Sequence, residues 1–316
     1  MVNTVSGWRR ITVASQSVLL TGISGQVGYE LHQRLAGSQL IAMDRSHFDL
    51  SCPETLSALL DTHQPGIIIN PAAYTAVDKA ESEPNLAQLI NVDSVAVMAE
   101  WAHRHQALMI HYSTDYVFDG TKATPYVETD ATHPLSVYGR SKCQGEVVIR
   151  QSGCRHIILR TSWVAGFHGN NFIKTIIRLA QSRESLNVVA DQCGAPTSAA
   201  LIAQVTMDLL ALDHASSLDS NTYHLTASGE TTWYDYARHI VRRAQDAGME
   251  LKLQPDAMEA IASAAYPVPA PRPKNSRLNC ERLQRRLGLA CMPPWQEGVD
   301  AIIDNILSQS SHGANS

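Results

Sequence analysis

The sequence predicts an α/β fold in which a parallel sheet is covered by helices on both faces. Three observations carry that prediction: short, near-continuous apolar runs, helix-length segments between them, and a glycine-rich turn joining the first run to the first helix. The runs are residues 17–21, 40–44, 66–70, 107–114 and 156–161, each short and rich in Ile, Leu or Val. A strand buried on both faces needs apolar side chains at successive positions, so these runs do not alternate with polar residues. The segments 26–36, 53–62, 85–104 and 139–151 read as the intervening helices. Together they describe a doubly wound sheet.

Beyond about residue 165 the alternation loosens. Helices are expected near 170–182, 198–212 and 232–247, strands near 186–191 and 223–226, and two short closing helices near 279–287 and 295–308. The proline-rich 266–278, "YPVPAPRPKNSRL", places cations and hydrogen-bond donors on a stiffened backbone. The expected organisation is a 1–16 extension, a nucleotide-binding domain over 17–165 joined by parts of 186–227, and a mainly substrate-binding region over 166–309. A disordered tail is expected at 310–316.

Composition narrows the classes. The chain has 316 residues, 44% of them hydrophobic, enough for a large core. No apolar run reaches the length of a membrane span, and the N-terminus lacks the apolar stretch of a secretory signal. A formal net charge of -5 argues against nucleic acid as a partner. Six scattered cysteines show no metal spacing and fit free thiols in a reducing cytoplasm.

The turn at 21–28, "TGISGQVG", follows the first strand and opens the first helix. Gly22, Gly25 and Gly28 permit a tight turn, close approach of a pyrophosphate and packing of the helix on the sheet. Gln26 and Val27 begin the helix, whose N–H groups and dipole attract phosphate. Asp44 ends the second strand, 22 residues beyond Gly22, where an acid accepts hydrogen bonds from a ribose 2′-OH and favours NAD. Arg45 follows it and suits the 2′-phosphate of NADP, so both cofactors stay open.

Further on, "HYSTDYVFDG" leaves a buried strand directly into hydroxyls and a carboxylate, and "YGRSK" sets Tyr138 and Lys142 four apart on one helix face. A phenol is a poor acid–base group near neutrality, and a nearby ammonium favours its ionised form. That pair suits proton exchange with a carbonyl oxygen during hydride transfer.

The glycine turn, the Ser-Thr-Asp strand end and the Tyr-x-x-x-Lys pair together resemble the extended short-chain dehydrogenase/reductase family. The resemblance runs from about residue 17 to 307, with a Rossmann-type sheet implied. Longer stretches such as "NPAAYTAVDKAESEP", "RTSWV", "DQCGAPTSA" and "RPKNSRLN" point to its nucleotide-sugar reductases. The resemblance implies reduction of the C4 carbonyl of a dTDP-sugar with NADPH or NADH. It places Gly25, Gln26 and Val27 along the cofactor diphosphate, Asp44 at the adenosine ribose, and Asp49 and Leu50 near the adenine. Ala72, Ala73 and Tyr74 would contact the cofactor's middle, with Tyr112 lining the cleft. Tyr138 would donate the proton and Lys142 hold the nicotinamide ribose. Thr114, not Ser113, would bind the reacting carbonyl, and Asp115 the substrate. Trp163 would pack on the deoxysugar, and Arg272 and Asn275 would hold the dTDP diphosphate. A homodimer and a magnesium ion at Glu30 are also implied.

Two other readings compete. Dehydratases of the family carry a glutamate directly after the Thr-Asp pair, where this chain has Tyr116. The non-catalytic regulatory β subunit of methionine adenosyltransferase is similar too, but a binding role would tolerate loss of Thr114, Tyr138 or Lys142, and all three are present.

Overall fold

The computed structural model describes residues 16–37, 39–216 and 219–313. Residues 1–15 of the expected extension and 314–316 of the expected tail lie outside them; the last helix runs on to Gly313, overlapping the tail segment.

Six parallel strands form the central sheet: β1 (Val18–Leu20), β2 (Leu40–Ala42), β3 (Ile67–Asn70), β4 (Leu108–Thr114), β5 (Arg155–Thr161) and β6 (Asn221–His224). Their order is β6-β5-β4-β3-β1-β2. Residue parity sorts the side chains to two faces. Leu20, Ile69, Ile110 and Leu159 meet α1 (Gln26–Arg34) and a long later helix, Ala199–Ser216. Leu19, Ile68, Met109 and Ile158 meet α2 (Pro53–His63), α3 (Ser94–Arg104) and α4 (Val137–Ser152). Burial on both faces explains why the strands read as unbroken apolar runs.

The single helix expected over 85–104 is instead Pro84–Gln88, a π-helical turn at Leu89–Asp93, and α3. The extra residue per turn directs Asn91 inward, where it is 1% exposed and bonds both the N–H and the C=O of Tyr74. The strand expected at 186–191 forms at Leu186–Val189 but stays out of the main sheet, pairing with Met258–Ile261. Of 186–227, the main sheet takes only β6, while Ala199–Ser216 covers its α1 face.

The second half has its own core. Ile173, Ile176 and Ile177 of α5 (Phe172–Ser182) pack with Tyr236, Ile240 and Val241 of the helix Trp233–Asp246, and with Trp295, Val299 and Ile302 of the helix Trp295–Gly313. The proline-rich segment folds back on the first half: Tyr126 N–H donates to Arg277 C=O at 2.9 Å, and Ala270 N–H to the Asp78 carboxylate at 3.2 Å. The order of strands reverses between β1 and β3, and a crevice opens at the carboxyl ends of such strands.

Candidate active site

The glycine turn lies at the carboxyl end of β1. Gly22 has φ +58, and a Cβ there would lie 2.9 Å from the Cβ of Ala72. A Cβ on Gly28 would fall 2.0 Å from the Gly22 carbonyl oxygen, so only glycine lets α1 start directly beneath the turn. Gly25 is the N-cap residue of α1, and no side chain caps the helix. That leaves the first-turn N–H groups to a ligand, which fits a cofactor diphosphate. Gln26 takes a different part from the one expected: its Oε1 accepts from Gly166 N–H at 2.7 Å and from Asn171 Nδ2 at 3.0 Å, tying the 166–171 loop to the turn.

Asp44, expected at the adenosine ribose, lies two residues past β2 in a polar turn. Asp44 Oδ1 accepts from the N–H and hydroxyl of Ser46 at 2.9 and 2.6 Å and from His47 Nδ1 at 2.8 Å. The Ser46 hydroxyl and then His47 hold its carboxyl down to about 2. Arg45 is exposed and lies 3.6 Å from Asp49, whose carboxylate also accepts from Ser51. Leu50 is 5% exposed in the core beneath, so it supports this turn through packing. Ala72 and Ala73 follow β3, Ala72 against Gly22. The Tyr74 hydroxyl is engaged by Glu83 at 2.7 Å. The Tyr112 ring does not face the crevice: it packs among Leu20, Ile110 and Leu159, with its hydroxyl 2.8 Å from Thr206.

At the end of β4, Thr114 Oγ1 donates to Asp115 Oδ1 at 3.0 Å and caps the following turn by accepting from Tyr116 N–H at 3.2 Å. Ser113 points to the opposite face and donates to Glu146 at 2.6 Å, which removes it from the site. Ser136 caps α4 through Gly139 N–H, so Tyr138 and Lys142 sit in the first turns, one above the other. Burial raises the Tyr138 phenol to about 12, although the adjacent Thr114 hydroxyl works against that rise. Lys142 is 2% exposed, and burial lowers it to about 8 against the opposing charge of Glu146. Asp115 is raised to about 6 by burial, which the Ser276 and Thr114 hydroxyls only partly offset. Its Oδ2 is buried without a hydrogen-bond partner, which leaves one acceptor open.

The face of the second half holds the remaining candidates. Trp163 has φ +48, a strained value for a non-glycine residue, and stacks on Trp233 with ring centroids 3.7 Å apart. A Cβ on Gly194 would lie 2.6 Å from the Trp163 ring, so that glycine makes room for it. Arg272 forms a two-pronged pair with Asp78 at 2.8 and 3.1 Å and, with Lys274, lines a cleft of about 1330 Å³ that also includes Trp233. Asn275 departs from expectation. Its Nδ2 donates to the carbonyls of Lys122 and Thr124 and its Oδ1 accepts from Arg277, so its amide braces the loop and has no group left for a diphosphate. Glu30 departs as well. Its carboxylate is paired with Arg34 one turn along α1, and among the described residues no cluster of three or more His, Cys, Asp or Glu could hold a metal. Nothing among the described residues supports the magnesium ion expected at Glu30.

Sequence reasoning missed the polar groups under the site: Asn70, Asn91, His111 and the Glu146–Arg160 pair. Asn70 and His111 interrupt otherwise apolar strands, a signal legible in the sequence, because a polar side chain in a buried strand requires a partner.

A family model described as the RmlD substrate binding domain matches residues 16–308. Among curated relatives, the dTDP-4-dehydrorhamnose reductase of Escherichia coli (strain K12) is 46% identical over 300 residues, covering 93% of this chain and 99% of the relative. That of Burkholderia thailandensis is 42% identical, covering 92% and 99%. A crystal structure of dTDP-4-dehydrorhamnose reductase from Bacillus anthracis in complex with NADP superposes with a TM-score of 0.84 at 32% identity, covering 92% of this chain and 99% of that one.

Proposed function

This chain belongs to the family described as the RmlD substrate binding domain, and from that premise we propose that it is a dTDP-4-dehydrorhamnose reductase. In this reading it converts dTDP-4-dehydro-β-L-rhamnose to dTDP-β-L-rhamnose, the last step in making that activated sugar, with NADPH or NADH. The observation that carries it is Tyr138 against the Thr114 hydroxyl at the carboxyl end of β4, with Lys142 one turn along α4, together with the uncapped helix N-terminus at the glycine turn.

When bound, the reduced nicotinamide supplies the hydride that adds to C4 of the sugar. The chain's own residues handle charge and proton. Tyr138, raised to about 12, stays protonated at neutral pH and is poised to give its O–H proton to the oxygen on C4. The Lys142 ammonium on the same helix face stabilises the phenolate left behind. Thr114 offers the carbonyl oxygen a hydroxyl once that proton turns from Asp115. Asp115, with an unpartnered Oδ2, suits a sugar hydroxyl. Trp163 on Trp233 forms an apolar wall, and Arg272 and Lys274, paired with Asp78 and Asp191, would meet a diphosphate by exchanging those carboxylates for it. Tyr116 stands where an elimination would need a carboxylate, its ring 5.5 Å from that of Tyr138.

A cytoplasmic homodimer is part of the proposal and rests on the family resemblance; no helix among the described residues is long and apolar enough to cross a membrane. The test is to mix the protein with dTDP-4-dehydro-L-rhamnose and C4-deuterated NADPH or NADH. Loss of reduced-nicotinamide absorbance and deuterium at C4 of the product are expected. No oxidation of either cofactor would sink the reductase reading and favour a non-catalytic subunit.

A further inference from the structure

Four polar side chains run in a line through the floor of the crevice, from the glycine turn to α4. Thr21 Oγ1 lies 2.6 Å from the Asn70 amide, Asn70 Nδ2 lies 3.2 Å from His111 Nδ1, and His111 Nε2 lies 3.0 Å from Lys142 Nζ. Thr21 is 1% exposed, Asn70 and His111 are 0% and Lys142 is 2%. They come from the ends of β1 and β3, the middle of β4, and α4.

We propose that His111 is a positioning residue for the reduction: neutral, it accepts the Lys142 ammonium at Nε2 and holds that charge on the Tyr138 face of α4. The inference rests on the reductase reading for its consequence and on geometry for its chemistry. An ammonium has only donors, so a nitrogen 3.0 Å from it must present a lone pair. His111 Nδ1 then carries the ring proton and donates to Asn70, whose amide turns its oxygen inward and gives its N–H to Thr21. A neutral Lys142 amine, which has both N–H groups and a lone pair, also permits the reverse line: Thr21 donates to Asn70 Oδ1, Asn70 Nδ2 to His111 Nδ1, and His111 Nε2–H to Lys142. With Lys142 charged, only the first line leaves all four groups paired.

The charged and titratable groups facing this pair are few. Lys142 meets His111 from β4 and shares α4 with Tyr138 and Glu146. Glu146 is held in turn by Arg160 of β5, Arg150 and Ser113. Burial and the Lys142 charge keep His111 well below its ordinary range, so it stays neutral and available as an acceptor. Sequence spacing puts Tyr138 and Lys142 on one face, but a buried four-carbon side chain still needs an anchor to aim it, and His111 is that anchor.

The first test reads the tautomer in the intact protein, by long-range proton–nitrogen NMR on imidazole-labelled material. Below the pH at which Lys142 titrates, His111 is expected with a proton on Nδ1 and a free lone pair on Nε2. A proton on Nε2 there would overturn the proposal, whatever the protein's activity. The second test compares His111→Leu with His111→Gln, which keeps an acceptor. His111→Leu should lose about tenfold in kcat and shift the basic limb of its pH profile at least about one unit lower, with cofactor KM within about twofold. His111→Gln should recover most of kcat and the parent's limb. Equal losses with an unmoved limb would mean a merely structural role and overturn the proposal. A parent protein without turnover would instead defeat the reductase reading and leave the NMR result to decide the role of His111.

Discussion

Replacing Lys142 with Met should remove a pH dependence of stability that exposes the cost of burying a catalytic cation. Lys142 is 2% exposed, and burial lowers it from 10.5 to about 8. Between those values the unfolded chain holds the proton and the folded chain does not, so stability rises with pH by about 1.36 kcal/mol per unit. The difference of 2.5 units, 10.5 minus 8, gives about 3 kcal/mol. The penalty is fully present below about pH 8 and is relieved as pH climbs to the unfolded value. Met has similar length and no charge, so the variant lacks this slope. Urea unfolding of parent and Lys142→Met at about pH 7 and about pH 10.5 should show the parent gaining about 3 kcal/mol on the variant. A difference that stays level, or moves against the parent, would refute the reasoning and mean that the ammonium is solvated or paired more fully than its contacts show.

The other expectations use the same geometry. Glu146→Gln leaves Arg160, bonded to it at 2.6 and 2.8 Å and nearly as buried, without a counter-charge, so urea unfolding should show a loss of about 3–5 kcal/mol. Gly28→Ala drives a Cβ to 2.0 Å from the Gly22 carbonyl oxygen, and fluorescence titration should find NADPH binding weakened about tenfold or more. Asp115→Asn removes a carboxyl raised from 3.8 to about 6, a cost of about 3 kcal/mol that the parent bears above pH 6 and sheds as pH falls to 3.8. The variant should therefore be more stable at neutral pH, lose that advantage near pH 4, and show a higher substrate KM.

Much of the fold was legible because burial on both faces leaves a strong mark: runs such as 66–70 and 107–114 have no other use for so many apolar residues. The glycine turn was legible because Gly28 meets a backbone atom that no side chain could share space with. Pairings of short strands were not, since Leu186–Val189 gains a partner 72 residues away, at Met258–Ile261, which no local pattern announces. The interrupted helix at Leu89–Asp93 was hidden as well: its apolar periodicity is sound, and the π turn answers to Asn91 reaching Tyr74 and Ser141. Within the site, Tyr138 and Lys142 followed from spacing. Asn275 and Glu30 misled because their nearest partners, the Lys122 and Thr124 carbonyls and Arg34, decide what those groups have left to offer. A motif fixes where a residue lies, while its hydrogen bonds fix what it is free to do.

The most direct test of the account is turnover by Tyr138→Phe, which removes one hydroxyl and keeps the ring against Tyr116. With NADPH and dTDP-4-dehydro-L-rhamnose, the variant should lose about 10²–10⁴-fold in kcat, the contribution of a positioned proton donor, while NADPH affinity stays within about threefold of the parent. Reduction by Tyr138→Phe at the parent's rate would contradict the account at its centre.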